Sequence, residues 1–147
     1  MSRSRRFTIR LTGGILAGAL VIATALHATM AAPSDLDLSR TRVTDGGAYR
    51  LSFTPEGDSI RVGRMHSWRL HVETVDGAAV DSAAIDVDGG MPQHGHGLPT
   101  APRVTRAMGS GDYLVEGVKF NMGGWWVVRF AIASGAGTDT VTFNLSL

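Results

Sequence analysis

Two histidines and two methionines stand in glycine-rich segments, and side chains of both kinds can bind a metal. Met91, His94 and His96 lie within one short stretch that is too rich in glycine and proline to form a central strand. Met122 lies in a second glycine-rich stretch, residues 120–126. Imidazole binds several transition metals, and thioether sulfur favours Cu(I). This combination of side chains indicates a copper-binding site built from two loops.

Other interpretations of these side chains stay open. The two histidines also suit an ordinary surface loop, and Met91 and Met122 also suit methionines that fill gaps beneath loops. Asp88 lies close enough along the chain to leave zinc as an alternative metal. Trp125, beside the second loop, is expected to shield a metal site or to cover a cation.

The sequence carries no recognisable catalytic arrangement. Asp86 and Asp88 alternate onto one strand face, but we interpret them as solvated edge charges, because no adjacent acid or base completes a mechanism. His66 is predicted to cap the sheet, with a supporting role at the site as the alternative, and His71 is predicted to be exposed. No Ser-His-Asp spacing, phosphate-binding glycine loop or nucleotide motif is present. We therefore expect a binding protein and not an enzyme.

Apolar and polar side chains alternate over several short runs after residue 47. This pattern is typical of strands buried on one face, and clusters of glycine and proline separate the runs. The spacing predicts an all-β fold, an antiparallel immunoglobulin-like β-sandwich of about seven strands. Because the loops of a sandwich gather at its two ends, the two candidate loops form one site if they share an end. The apolar runs begin at Tyr49, Trp68, Ile85, Tyr113, Trp126 and Val141.

The N-terminal segment combines positive charge with a long apolar run. Residues 1–10 carry four arginines, and residues 11–32 carry no charged side chain. This layout is typical of a secretory signal peptide, which we favour, but the run also reaches the ~20 residues that a membrane-anchoring helix needs. Either way, the arginines stay inside and the remainder is exported to the periplasm or the extracytoplasmic face of the membrane. We divide the chain into this segment (1–32), a linker (33–47) and a β-sandwich domain (48–147).

Composition excludes several classes of protein. The chain has no cysteine, which excludes disulfides, thiolate metal sites and thiol catalysis. Lys and Arg number 14 and Asp and Glu 13, and after residue 32 there remain 10 basic and 13 acidic side chains, a net charge of −3. Nucleic acid requires a basic surface, so it is not an expected partner.

The first candidate loop resembles a known family. The string Met91-Pro92-Gln93-His94-Gly95-His96-Gly97 resembles the Met-Pro-x-His-Gly-His-Gly signature of YtkA-like domains, often labelled FixH-like. Residues 111–126 resemble the second block of that family, and His66-Ser67-Trp68 resembles its first core strand. The likeness covers about residues 48–146. Gly123 stands where the family usually has proline, which loosens the backbone of the second loop.

The resemblance implies a small exported or membrane-tethered β-sandwich whose relatives are associated with copper handling and with assembly of respiratory oxidases. Carried over by position, the expected metal ligands are Met91, His94, His96 and Met122. The expected partner is a copper-dependent membrane oxidase or another copper-handling protein. The alternative is an assembly module without metal that docks on its partner through its loops.

Overall fold

The computed structural model describes residues 31–57 and 59–147. The predicted export or anchor helix falls almost entirely on residues 1–30 and lies outside the described residues. Within the described ranges, no helix is long and apolar enough to cross a membrane.

The described residues form two antiparallel sheets and no helix, which confirms the predicted all-β sandwich, with nine strands where the sequence predicts about seven. One sheet has the order β1-β2-β3-β7-β6, and the other has the order β5-β4-β8-β9. The strands are β1 (Thr41–Val43), β2 (Tyr49–Pro55), β3 (Met65–Thr74), β4 (Ala84–Met91), β5 (His96–Gly97), β6 (Arg103–Gly109), β7 (Asp112–Lys119), β8 (Trp125–Ser134) and β9 (Gly137–Ser146).

The core between the sheets is built from the predicted alternating side chains. Along β8 every second side chain is buried, and the same holds along the central part of β3. Aromatic rings join the two sheets: Phe53 stacks on Trp68 at 4.6 Å between ring centroids and meets the edge of Phe143 at 5.0 Å. The exclusion of water from these large rings is the main stabilising contribution to a domain without disulfides.

The first strand lies within residues 33–47, the segment interpreted from the sequence as a linker. Its three residues pair with β2, and the turn that follows is held to β9 by the Asp45 N–H, which donates to the Thr140 carbonyl at 2.8 Å. An edge strand of this length is stabilised by backbone hydrogen bonds and needs no apolar alternation. For that reason the hydrophobic pattern gives no sign of it.

Asp139 holds the β1–β2 turn against the second sheet. Its carboxylate accepts hydrogen bonds from the N–H of Gly46 at 2.9 Å and of Ala48 at 3.1 Å. The Thr44 side chain, together with the N–H groups of Ala48 and Gly46, holds the pKa of Asp139 well below its ordinary value of 3.8. These donors favour the ionised carboxylate, so ionisation of Asp139 stabilises the folded chain.

We expect Asp139→Asn to lower the melting temperature at pH 7, because the amide offers one acceptor oxygen and no charge to these donors. The pKa of Asp139 is lower in the folded chain than in the unfolded chain. The carboxylate's contribution to stability is therefore complete above about pH 4, and it is lost as the pH falls from there through the folded-state pKa. Thermal melts from pH 7 to pH 2 should show the difference between the two proteins shrinking in acid. Asp86→Asn, exposed on β4, is the matched control, and an equal loss at every pH would contradict this role.

Candidate metal site at the loop end

Three connections meet at one end of the sandwich, which we call the loop end. They are residues 56–64 between β2 and β3, residues 92–95 between β4 and β5, and residues 120–124 between β7 and β8. The strand register places them together, since Met65 pairs with Lys119 and Gly90 pairs with Val127. The two candidate loops are joined directly, because the N–H of Trp125 donates to Gln93 Oε1 at 3.3 Å.

His94 and His96 are brought together by a tight turn after β4. The N–H groups of His94 and Gly95 both donate to the carbonyl of Met91 at 3.0 Å. Gly95 adopts a φ of +65°, a conformation that suits glycine and reverses the chain without strain. The two imidazole rings stack at 5.9 Å between centroids, with 28° between their planes, and both residues are exposed.

The separation of the two rings fits a shared metal ion. A metal-bound imidazole nitrogen lies about 2.0–2.1 Å from the metal, so two imidazoles on one ion have centroids at most ~6 Å apart. The observed 5.9 Å falls within this limit, and because the rings are stacked with 28° between their planes, the exposed side chains would rotate to point their nitrogens at one ion. The Nδ1 of His96 lies 3.0 Å from the Gly97 carbonyl, which only accepts, so a neutral ring that makes this hydrogen bond has its lone pair on Nε2.

Met91 lies beside this pair but is buried. It is the register partner of His96 across β4 and β5, so the two side chains project from the same face with their Cβ atoms about 4.5–5.5 Å apart. Its side chain is 2% exposed. Its terminal methyl group packs on Gly124, where an added Cβ would lie 2.4 Å from Met91 Cε. Met91 therefore joins the two loops as a packing residue, whether or not its sulfur binds a metal.

Met122 occupies the second loop and is 37% exposed. Its backbone carbonyl accepts a hydrogen bond from Trp126 Nε1 at 3.0 Å. The same Trp126 ring meets the edge of His96 at 5.5 Å between centroids. The structure thus brings His94, His96 and Met91 together directly, and it connects Met122 to them through the indole of Trp126.

The aromatic neighbour of the histidines is Trp126 and not Trp125, the residue the sequence suggested. The Trp125 indole N–H donates to Asn144 Oδ1 at 3.0 Å on the outer face of the second sheet. Trp126 points inward and is fully buried. The alternation along β8 already places Trp126 inside, but its contact with His96 depends on the turn that brings β5 beside β4. The role of Gln93 in joining the two loops cannot be predicted from the sequence, because no sequence pattern indicates the hydrogen bond that Gln93 accepts from Trp125.

Of the other histidines in the described residues, His66 lies at the loop end, with its ring centroid 6.5 Å from that of Phe120, and His71 lies elsewhere. His66 is buried, and its Nε2 lies 2.9 Å from the backbone carbonyl of Arg61. His71 is half-exposed and its Nδ1 lies 2.8 Å from Asp112 Oδ1, so it has a carboxylate partner on the outer face of the first sheet. Across residues 31–57 and 59–147, no group of three or more histidine, cysteine, aspartate or glutamate side chains is arranged to hold a metal ion.

A shallow depression of about 280 Å³ opens beside the histidine turn. Its lining is mostly apolar side chains and backbone, and the His96 imidazole is its polar side chain, so this surface offers a small apolar recess next to an exposed candidate ligand. The lining residues are Gly90, Met91, Pro92, Gly95, His96 and Val127.

Comparison with known proteins identifies a family for this domain. The family model described as YtkA-like matches residues 46–131, more than half of the chain, and this range contains all four candidate ligands. No curated protein matches the chain. Among solved structures, the ZirS C-terminal domain is similar with a TM-score of 0.41 and 12% sequence identity, over 100% of this chain and 88% of that chain.

Proposed function

The chain belongs to the YtkA-like family, and from this premise we propose that it is an exported copper-binding module of the periplasm or extracytoplasmic face. In this proposal it binds Cu(I) and passes it on, with no catalytic turnover. The arginine-rich start and the uncharged run to residue 32 support export.

The observation that carries the proposal is the imidazole pair at the loop end. The His94 and His96 ring centroids lie 5.9 Å apart, within the reach of one ion, and rotation of these exposed side chains would turn a nitrogen of each ring toward it. Met91 lies across the strand pair from His96, and Met122 stands on the adjoining loop. A set of imidazole and thioether ligands without thiolate favours Cu(I). We propose the two histidines as the first ligands and the two methionines as the sources of the others.

The same geometry suits delivery of the ion. Both histidines are exposed, so an incoming ligand can reach the ion from solvent, while Trp126 closes the inner side. Copper would leave by stepwise exchange of ligands with a partner that offers ligands of the same kind. We propose that this partner is a copper-dependent membrane oxidase under assembly, or another copper-handling protein.

A competition titration tests the proposal. The exported domain from residue 33 is titrated with Cu(I) against a chromophoric chelator, and we expect one equivalent to be bound. His94→Ala/His96→Ala should weaken the binding by at least about 100-fold, since both imidazoles are lost. Both histidines are exposed, so the double variant should remain folded.

Matched variants separate ligands from neighbours. His71→Ala removes a half-exposed histidine on another face, and Met65→Leu removes a thioether that is 61% exposed. Both should bind copper as the unchanged domain does. Met91→Leu and, on the second loop, Met122→Leu keep the packing volume but remove the sulfur. A loss of Cu(I) affinity in either variant identifies that sulfur as a ligand. Failure of the unchanged domain to compete with the chelator would remove the copper proposal.

A second candidate function is an assembly module without metal that docks on a protein through the loop end. The observation that favours it is the exposure of apolar side chains there, with Val62 43% and Met65 61% exposed. In that case the domain would bind no stoichiometric copper. His94→Ala/His96→Ala would leave folding unchanged and weaken only the binding of the partner.

A further inference from the structure

The chain enters the sandwich at the loop end. Strand β1 runs antiparallel to β2, whose last residues reach that end, and the N–H of Phe53 donates to the Arg40 carbonyl at 3.0 Å just before β1. One step earlier, Asn144 Nδ2 donates to the Asp37 carbonyl at 3.1 Å, close to the end of β9. The segment that precedes β1 is therefore fixed at the same end of the sandwich as the candidate site, on the β9 side of the second sheet.

The tether between this fixed point and the hydrophobic segment is short. Only residues 33–36 separate the uncharged run, which ends at residue 32, from Asp37. The five steps from residue 32 to Asp37 span at most ~18 Å when fully extended. While the apolar segment remains in a membrane, the loop end is therefore held within a short distance of the bilayer surface, and the opposite end of the sandwich is free to lie further from it.

Exposed apolar side chains concentrate at the end that faces the bilayer. Of the six large hydrophobic side chains that the described residues expose, four lie at or beside the loop end: Leu38, Val62, Met65 and Met122. The basic side chains Arg61, Arg64 and Lys119 lie in or next to the same loops, and the acidic side chains Asp35, Asp37 and Glu56 lie at the same end. Charge is mixed at this end, so contact with the headgroup region would depend on the apolar side chains and on the apolar stems of the long basic ones.

We propose that the loop end docks on the lipid surface when the N-terminal segment is retained as an anchor, with Val62, Met65 and Met122 entering the headgroup region. This inference rests on the exported location in the proposed function and on the alternative in which the N-terminal segment is retained as an anchor, and not on copper. Three partly exposed side chains provide only marginal affinity for lipid by themselves, but a short tether makes the contact intramolecular and raises its effective concentration to the millimolar range.

Docking of this kind would place the candidate metal site next to the membrane surface. The turn with His94 and His96 lies at the same end as the apolar side chains, so its exposed imidazoles lie beside the membrane surface. A partner would then receive copper at the height of the headgroups, where a membrane-embedded protein exposes its extracytoplasmic loops.

The absence of cysteine from the chain makes a depth measurement straightforward. Single variants Met65→Cys, Met122→Cys and Val75→Cys are made in the uncleaved full chain, labelled with an environment-sensitive fluorophore and reconstituted in vesicles of phosphatidylethanolamine and phosphatidylglycerol. Val75 follows β3 at the opposite end and is 39% exposed, against 37% for Met122, so it is a matched control. We expect lipid-linked quenchers to reduce the signals at positions 65 and 122 several-fold more than the signal at position 75.

A second variant keeps the proposal falsifiable if labelling itself perturbs the loops. Val62→Ser/Met65→Ser should reduce the lipid quenching of a probe at position 122, because it removes the apolar contacts and leaves the tether. Equal quenching at positions 122 and 75 would overturn the proposal, and so would a probe at 122 that becomes protected only when a protein partner is added. Loss of copper binding in the titration above would leave these results unchanged, so the two proposals fail independently.

Discussion

Replacing Trp126 by alanine is expected to lower the free energy of unfolding by about 3–5 kcal/mol, the usual cost of deleting a large buried aromatic side chain. Trp126 is fully buried, meets Phe120 at 5.2 Å between ring centroids and meets His96 at 5.5 Å. The variant also loses the hydrogen bond from the indole N–H to the Met122 carbonyl. We expect both a strong loss of stability in urea-induced unfolding and a loss of Cu(I) affinity, because one side chain supports both candidate loops.

Two further variants separate these effects. Trp126→Phe retains an aromatic ring in the core but removes the N–H, so it should lose less stability and should loosen mainly the second loop. His96→Ala removes an exposed side chain and should change the free energy of unfolding by no more than about 0.5 kcal/mol. If Trp126→Ala were folded normally and still bound copper, the proposed support of the site by the indole would be wrong.

Six strands of the fold follow from the hydrophobic pattern, and three do not, for a common physical reason. The runs that begin at Tyr49, Trp68 and Trp126 belong to strands whose alternate side chains fill the core. The alternation of apolar and polar residues therefore predicts which of their side chains are buried. Strands β1, β5 and β6 lie at sheet edges and, unlike the edge strand β9, have no fully buried residue. Their pairing depends on backbone hydrogen bonds, which every sequence can supply, so no alternation reveals them.

The candidate site shows the same division between side-chain pattern and backbone geometry. The residue types alone indicate His94 and His96 as neighbours, and their stacking agrees with that interpretation. The position of Met91 opposite His96 depends on β5, a strand of two residues inside a segment that looks like an irregular loop. The sequence also gives no means of deciding between Trp125 and Trp126, because the choice is made by which face of β8 the turn approaches.

Gly90→Ala is expected to disturb the site through the backbone, without touching any candidate ligand. An added Cβ at Gly90 would lie 2.5 Å from the His96 carbonyl oxygen and 3.1 Å from Gly97 Cα. Both atoms belong to the backbone of β5, so a flexible side chain cannot give way, and the strand itself must move. Overpacking of this kind costs about 1–3 kcal/mol. Because β5 carries His96, the shift should also separate the imidazole pair and weaken Cu(I) binding by roughly tenfold.

Gly97→Ala is the matched control, since Gly97 is the register partner of Gly90. A Cβ at Gly97 would meet the Gly89 carbonyl oxygen at 3.5 Å, an ordinary van der Waals contact, and the residue is exposed. We therefore expect it to keep near-normal stability and copper affinity in the same unfolding and titration experiments. Equal behaviour of the two variants would show that the site does not depend on close contact between β4 and β5. A selective loss in Gly90→Ala would show that these neighbouring glycines differ in role, with Gly90 required for the approach of the two strands that positions His96.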